Sequence, residues 1–208
     1  MRLELLTTPH GTVALVDLPD AAVEDAAAKL APEEQAFAAT LAPVRRRELI
    51  AGRTALRALL APELAAHPLL PDDRGAPVLP AGWVGSVSHK GTHAAAIVAA
   101  SADPRAYVGV DLELAAPSRQ DIARWILTKR EQERLDDRGK GATLRFSIKE
   151  AIYKAVDPFV RRYVAFTEVE LDVAEGTAAV TSELPLAIDT TWREHAGFWL
   201  ATARARQR

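Results

Sequence analysis

Cysteine is absent from this 208-residue chain, which excludes disulfide frameworks, thiolate metal sites and cysteine nucleophiles. Neither sign of charge is in excess: 26 Lys and Arg stand against 28 Asp and Glu, a net charge of -2. No whole-molecule field therefore draws the protein to nucleic acid or an anionic membrane, and any anion site has to be local. Long hydrophobic runs are also lacking. Glu4, Pro9 and His10 interrupt the first ten residues before the apolar core of a signal peptide can form. No uncharged stretch elsewhere is long enough for a bilayer, so we expect a cytoplasmic protein. A Gly-rich P-loop is missing as well, and no sequence repeat is evident. What is present is an ordinary globular composition, 49% hydrophobic and 26% charged, enough for one large domain or two small ones.

Leu3 to Leu6 and Val13 to Leu18 read as strands around a turn at Pro9, His10 and Gly11, followed by an Ala-rich helix from Ala21 to Leu30. Pro32, Glu33 and Glu34 open another helix, because proline suits a first turn and acidic groups favour the positive end of the helix dipole. Val44 to Leu60 is the most regular helix of the first half. Leu49, Ile50, Leu56, Leu59 and Leu60 mark its apolar side, and Arg45, Arg46, Arg53 and Arg57 recur at helical steps. The proline-rich segment from Pro62 to Pro80 is a surface connection. Val84 to His89 and Ala94 to Ala99 pair as strands about a turn at Lys90 to Thr92, and Tyr107 to Leu112 is a further strand. Arg119 to Asp136 is predicted helical, as is Thr143 to Val156, stopped by Asp157 and Pro158. Tyr163 to Phe166, Val169 to Val173, Ala178 to Thr181 and Gly197 to Ala203 close the chain as strands. Two stretches that each mix helices and strands thus meet near residue 100, an α+β pattern.

Four segments carry candidate chemistry. Val108-Gly109-Val110-Asp111-Leu112-Glu113 is an apolar strand ending in two carboxylates that alternation places on one face. Hard oxygen ligands of this kind suit Mg²⁺, although an isolated Asp-x-Glu also suits a solvated strand end. In Phe146-Ser147-Ile148-Lys149-Glu150-Ala151-Ile152-Tyr153-Lys154-Ala155, Glu150 and Lys154 share a helix face. They read either as a surface ion pair or as a metal ligand or general base beside a phosphate-neutralising ammonium. Gly85-Ser86-Val87-Ser88-His89-Lys90-Gly91 ends a strand in small residues with His89 and Lys90 as donors, which a phosphate needs and so does any hairpin. Finally, Arg45, Arg46, Arg47, Arg53 and Arg57 offer planar forks to a phosphate, or a solvated face with Glu48 as counter-charge.

Taken in order, these segments resemble the signature of the surfactin-type 4′-phosphopantetheinyl transferases, over roughly residues 45 to 170. Gly52-Arg53-Thr54-Ala55-Leu56-Arg57 resembles the family's Gly-Arg-x-x-x-Arg helix and Gly85 to His89 its Gly-Ser-(Ile/Val)-Ser-His segment. Gly109 to Glu113 matches Gly-(Val/Ile)-Asp-x-Glu, and Phe146 to Lys154 matches (Trp/Phe)-x-x-Lys-Glu-(Ala/Ser)-x-x-Lys. The resemblance implies two α+β halves related by a pseudo-twofold, residues 1–102 with the coenzyme A phosphate contacts and 103–208 with the metal carboxylates, and a cleft between them.

It further implies that Asp111, Glu113 and Glu150 hold Mg²⁺ against the coenzyme A pyrophosphate. His89, Arg57, Arg53, Arg45, Ser88, Lys149 and Lys154 would contact its phosphates, and Glu150 would take the proton of a carrier serine while Lys154 and His89 stabilise departing 3′,5′-ADP. The implied partners are coenzyme A and an apo acyl or peptidyl carrier protein, with a monomer sufficient. Two positions depart from the pattern: Phe146 stands where many members carry Trp. In Asp73-Arg74-Gly75-Ala76-Pro77 Ala76 replaces a basic residue beside the adenine, for which Arg74 is the candidate substitute. Two alternatives stay open at this level: a non-catalytic relative that docks a carrier protein, and an unrelated Mg²⁺-dependent nucleotide enzyme.

Overall fold

The computed structural model describes residues 1–64, 66–100, 106–135, 137 and 139–208. The chain divides into two compact α+β units, Met1–Ala102 and Asp103–Arg208. Their boundary falls among residues 101–105, outside the described residues, as does Asp136, the expected end of the helix begun at Arg119.

In the first unit, strands β1 (Arg2–Thr8), β2 (Gly11–Asp17), β3 (Trp83–Lys90) and β4 (His93–Ala100) form an antiparallel sheet in the order β1-β2-β4-β3. Three helices, α1 (Val23–Ala27), α2 (Pro32–Ala39) and α3 (Pro43–Arg57), lie between β2 and β3 in the chain. The apolar side of α3, Ile50, Ala51, Ala55 and Leu56, joins Ala14, Val16, Ala94 and Ala96 of the sheet in one buried cluster. Small residues bring helix and sheet close: a Cβ on Gly52 would stand 2.7 Å from Val87 Cγ1. The expected helices are shorter than read from sequence, ending at Ala27 rather than Leu30 and at Arg57 rather than Leu60.

The second unit has a five-stranded antiparallel sheet, β5 (Ala106–Leu114), β6 (Val169–Ala174), β7 (Thr177–Ser182), β8 (Leu186–His195) and β9 (Phe198–Gln207), in the order β5-β9-β8-β7-β6. Between β5 and β6 come α4 (Ala123–Ile126), α5 (Lys129–Glu133) and the long α6 (Lys140–Val160). Ile148, Ala151, Ile152 and Ala155 of α6 pack on Trp199, Ala201, Ala203 and Ala205 of β9.

Four expectations need correction here. The helix expected over 119–136 is two short helices, because Thr128 is extended and restarts the chain as an N-cap, accepting the Glu131 N–H at 3.2 Å. Pro158 does not stop α6, which continues to Val160 and ends on Arg161 in the left-handed conformation (φ 43°). Phe159 and Val160 pack against the core there, and that burial offsets the one hydrogen bond the proline removes. Tyr163 to Phe166 is not a strand, its place being taken by irregular backbone and a 3-10 segment from Phe166 to Glu168. β8, between β9 and β7, has no counterpart in the sequence reading. No helix among the described residues is long and apolar enough to cross a membrane.

Candidate functional site

Asp111 and Glu113 alternate with Leu112 on β5, so they project from the same face as Gly109. That face meets α6. A Cβ on Gly109 would stand 2.0 Å from the Ala151 carbonyl oxygen and 2.9 Å from Ala155 N, so only glycine lets the helix lie this close. The approach brings Lys154 to the strand, where its Nζ donates to Val110 O at 3.0 Å and to Asp111 Oδ1 at 2.8 Å. Two of the three ammonium donors are thereby engaged, and the Lys154 side chain keeps 26% of its exposure.

Glu150 lies on α6 one turn before Lys154. Its pKa is raised chiefly by burial and further by the charges of Asp111 and Glu113, while Lys154 opposes the shift. The four side chains expected to act together thus share one electrostatic neighbourhood on the face between β5 and α6. They are not drawn into a coordination shell: among the described residues no group of three or more His, Cys, Asp or Glu is placed to hold a metal ion. The donors fit such an ion chemically, being hard oxygens whose mutual repulsion a divalent cation would relieve.

Lys149, expected at the phosphates, is a correction. Its side chain is fully buried, and Nζ donates to Glu131 Oε2 at 2.7 Å, Ile126 O at 2.8 Å and Phe166 O at 2.9 Å. All three donors are consumed inside the unit, which leaves none for a ligand. Burial pulls the Lys149 pKa down, with Glu131 opposing. Phe146 leans on Phe166, ring centroids 5.6 Å apart, and Tyr153 meets the same ring at 5.0 Å.

In the first unit, Arg45 is exposed and donates to Glu48 Oε2 at 2.6 Å. The other oxygen of Glu48 lies 3.4 Å from His89 Nδ1, so one carboxylate serves both expected phosphate contacts. Ser88 is buried on β3 opposite Ala95. Arg74 sits in an exposed turn in which its own N–H and that of Ala76 donate to Asp72 Oδ1 at 2.8 and 2.9 Å. Arg53 is a second correction: it is buried, its Nε donates to Leu69 O, and burial lowers its pKa to about 10. Arg57 donates through Nη2 to Glu34 Oε2 and to His67 O at 3.2 Å, while its Nε and Nη1 are buried without a partner. Arg46 and Arg47 are held by Glu24 and Asp20.

Two buried acids, Glu34 and Glu131, organise these cations, and their role escaped the sequence reading. Each is preceded by leucine four residues earlier and followed by glutamine, in Leu30-Ala31-Pro32-Glu33-Glu34-Gln35 and Leu127-Thr128-Lys129-Arg130-Glu131-Gln132. Each carboxylate accepts the N–H of the residue before its helix, Ala31 at 2.9 Å and Thr128 at 2.7 Å. Each also accepts an N–H from a segment distant in sequence, Leu69 at 2.9 Å and Leu171 at 3.1 Å, and a cation from the long helix, Arg57 or Lys149. The following glutamines bond back to Leu30 O and Leu127 O at 2.8 and 3.0 Å. This short repeat was the available signal.

Against known proteins, residues 33–99 match the family model for the 4′-phosphopantetheinyl transferase N-terminal domain, and residues 107–203 that for the 4′-phosphopantetheinyl transferase superfamily. The 4′-phosphopantetheinyl transferase Svp of Streptomyces mobaraensis is 35% identical over 180 residues, spanning 82% of this chain and 70% of that one. The 4′-phosphopantetheinyl transferase Npt of Nocardia iowensis is 32% identical over 157 residues, 72% and 70% of the two chains. A solved holo-(acyl-carrier-protein) synthase from Bacillus anthracis, in complex with CoA (3′,5′-ADP), is 18% identical with a TM-score of 0.41, over 49% of this chain and 96% of that one.

Proposed function

The chain belongs to the 4′-phosphopantetheinyl transferase family, and from that premise we propose that it moves phosphopantetheine from coenzyme A to a serine of an apo acyl or peptidyl carrier protein in a Mg²⁺-dependent reaction. The observation that carries the reading is the contact of Lys154 with Asp111 between α6 and β5, with Glu150 one helical turn from Lys154 and Glu113 on the same strand face as Asp111. Asp111, Glu113 and Glu150 would hold the metal. Bound there, Mg²⁺ supplies charge neutralisation and Lewis acidity at a diphosphate.

The chain's own groups account for the rest. Glu150, whose pKa burial moves upward, is suited to take the carrier serine's proton, because a base works best when its pKa approaches the working pH. The serine oxygen forms its bond to the β-phosphorus as the bond to 3′,5′-ADP breaks, and the product leaves with the electron pair. Lys154 moves from Asp111 toward the departing charge. His89, Arg45, Arg57, Arg74 and Ser88 are kept as the phosphate contacts. Lys149 and Arg53 drop out of that set. Positioning and electrostatics suffice for the displacement, so no covalent enzyme intermediate is invoked. A cytoplasmic monomer fits a cysteine-free chain of near-zero net charge that carries both units itself.

The test is intact mass spectrometry of an apo carrier protein after incubation with the enzyme, coenzyme A and Mg²⁺. The expected result is addition of one phosphopantetheine, lost in Asp111→Ala and in Glu150→Ala. Unchanged mass across fatty-acid, polyketide and peptidyl carriers would overturn the reading.

A further inference from the structure

Lys149 and Glu131 carry opposite charges at a place where both side chains have no exposure at all. Such pairs gain little over apolar packing of the same volume, because removing two charges from water cancels most of their attraction. Desolvation is indeed the leading influence on Lys149. What three acceptors around one ammonium provide instead is direction. Ile126 O belongs to α4, Glu131 to α5 and Phe166 O to the segment before β6, and Glu131 also holds Leu171 of β6. A single side chain of α6 is thus fixed directly against three neighbouring segments and, through Glu131, to β6, whereas an apolar chain of equal length would be free to slide and turn.

The next residue on α6 is Glu150. On its other side the helix is fixed by Lys154 to Val110 O and Asp111, and by the contact of Ala151 with Gly109. Glu150 therefore sits between two anchors, one facing β5 and one facing α4, α5 and β6. The parallel construction around Glu34 fixes α3 in the first unit, where the residue after Arg57 is Ala58 rather than a carboxylate. The device is a means of fixing a long helix, and only in residues 103–208 does the fixed helix present an acid to two others.

We propose that Lys149 and Glu131 are positioning residues for Glu150, acting through the rotation and register of α6 and touching neither coenzyme A nor the carrier. This rests on the reading of Glu150 as the proton acceptor. A displacement of about 1 Å at such a group costs on the order of 100-fold in rate.

The experiment replaces both partners, Lys149→Met with Glu131→Gln, so that no charge is left buried and the one amide oxygen still accepts the N–H of either Leu171 or Thr128. Transfer is measured well below the melting temperature, where the variant is fully folded, alongside the rise in melting temperature that Mg²⁺ produces. The expected outcome is a kcat reduced on the order of 100-fold, a KM for coenzyme A within about twofold of wild type, and a smaller Mg²⁺-induced rise. A purely structural pair would lower the melting temperature and leave kcat and the Mg²⁺ response of the folded protein unchanged, which would overturn the proposal. Should the double variant not fold, Glu131→Gln alone is read by the same two measurements, with the same outcomes deciding. A wild-type enzyme that fails to modify any carrier would instead sink the functional reading on which this one rests.

Discussion

Glu150 is held in a setting that disfavours its own charge. Burial and the neighbouring carboxylates raise its pKa in the folded protein, and an acid whose folded pKa exceeds the unfolded value contributes stability below the unfolded pKa. That contribution is lost as pH rises through the folded pKa. In metal-free buffer the wild-type protein is therefore expected to lose stability from Glu150 as pH climbs out of the acid range. Glu150→Gln removes the penalty, so calorimetry at neutral pH in chelator should find the variant melting higher than wild type, the gap closing toward pH 4. The same variant should be inactive. The two lysines of the motif show how far spacing reaches at this scale. Lys149 and Lys154 are five residues apart, about 140° around a helix, so they cannot share a face, whereas Glu150 and Lys154 can. That much was legible in sequence; what Lys149 would meet on its own face was not.

At the scale of elements, β5 and α6 cross at Gly109, where there is no room for a side chain. Gly109→Ala places a methyl group 2.0 Å from a backbone oxygen, which no rotamer can relieve, so helix and strand must separate. Overpacking of this kind costs roughly 1–3 kcal/mol or more, and against backbone the upper end is expected. Chemical denaturation should show the loss, and transfer should fall with it because Lys154 no longer reaches Asp111. The sequence marked Gly109 as part of a motif without the reason for it. Period and capping found the strands β1 to β7 and β9 and the helices α1, α2, α3 and α6. They failed where a local signal competed with packing: at Thr128, whose cap divides one expected helix into two, and at Pro158, which the core keeps inside α6. β8 alternates through Leu186, Ile188, Thr190 and Trp192, yet two threonines side by side and a charged outer face weaken its pattern.

At the scale of the whole molecule, ligand binding should be visible as stability. Coenzyme A with Mg²⁺ at a hundredfold excess over Kd adds about 2.7 kcal/mol to the folded state, a rise in melting temperature of roughly 5–10 °C for a chain of this size. Asp111→Ala should lose most of that rise, and an unshifted wild-type melt would speak against nucleotide binding. The family, the α+β class and the face shared by Asp111 and Glu113 were determined by sequence alone, because motif order, composition and strand alternation are properties of the chain itself. Which cations remain available to a ligand was decided only in three dimensions. Lys149 and Arg53 stand in the same motifs as Lys154 and Arg57, but whether a helix face meets solvent, a carboxylate or a carbonyl depends on segments tens of residues away.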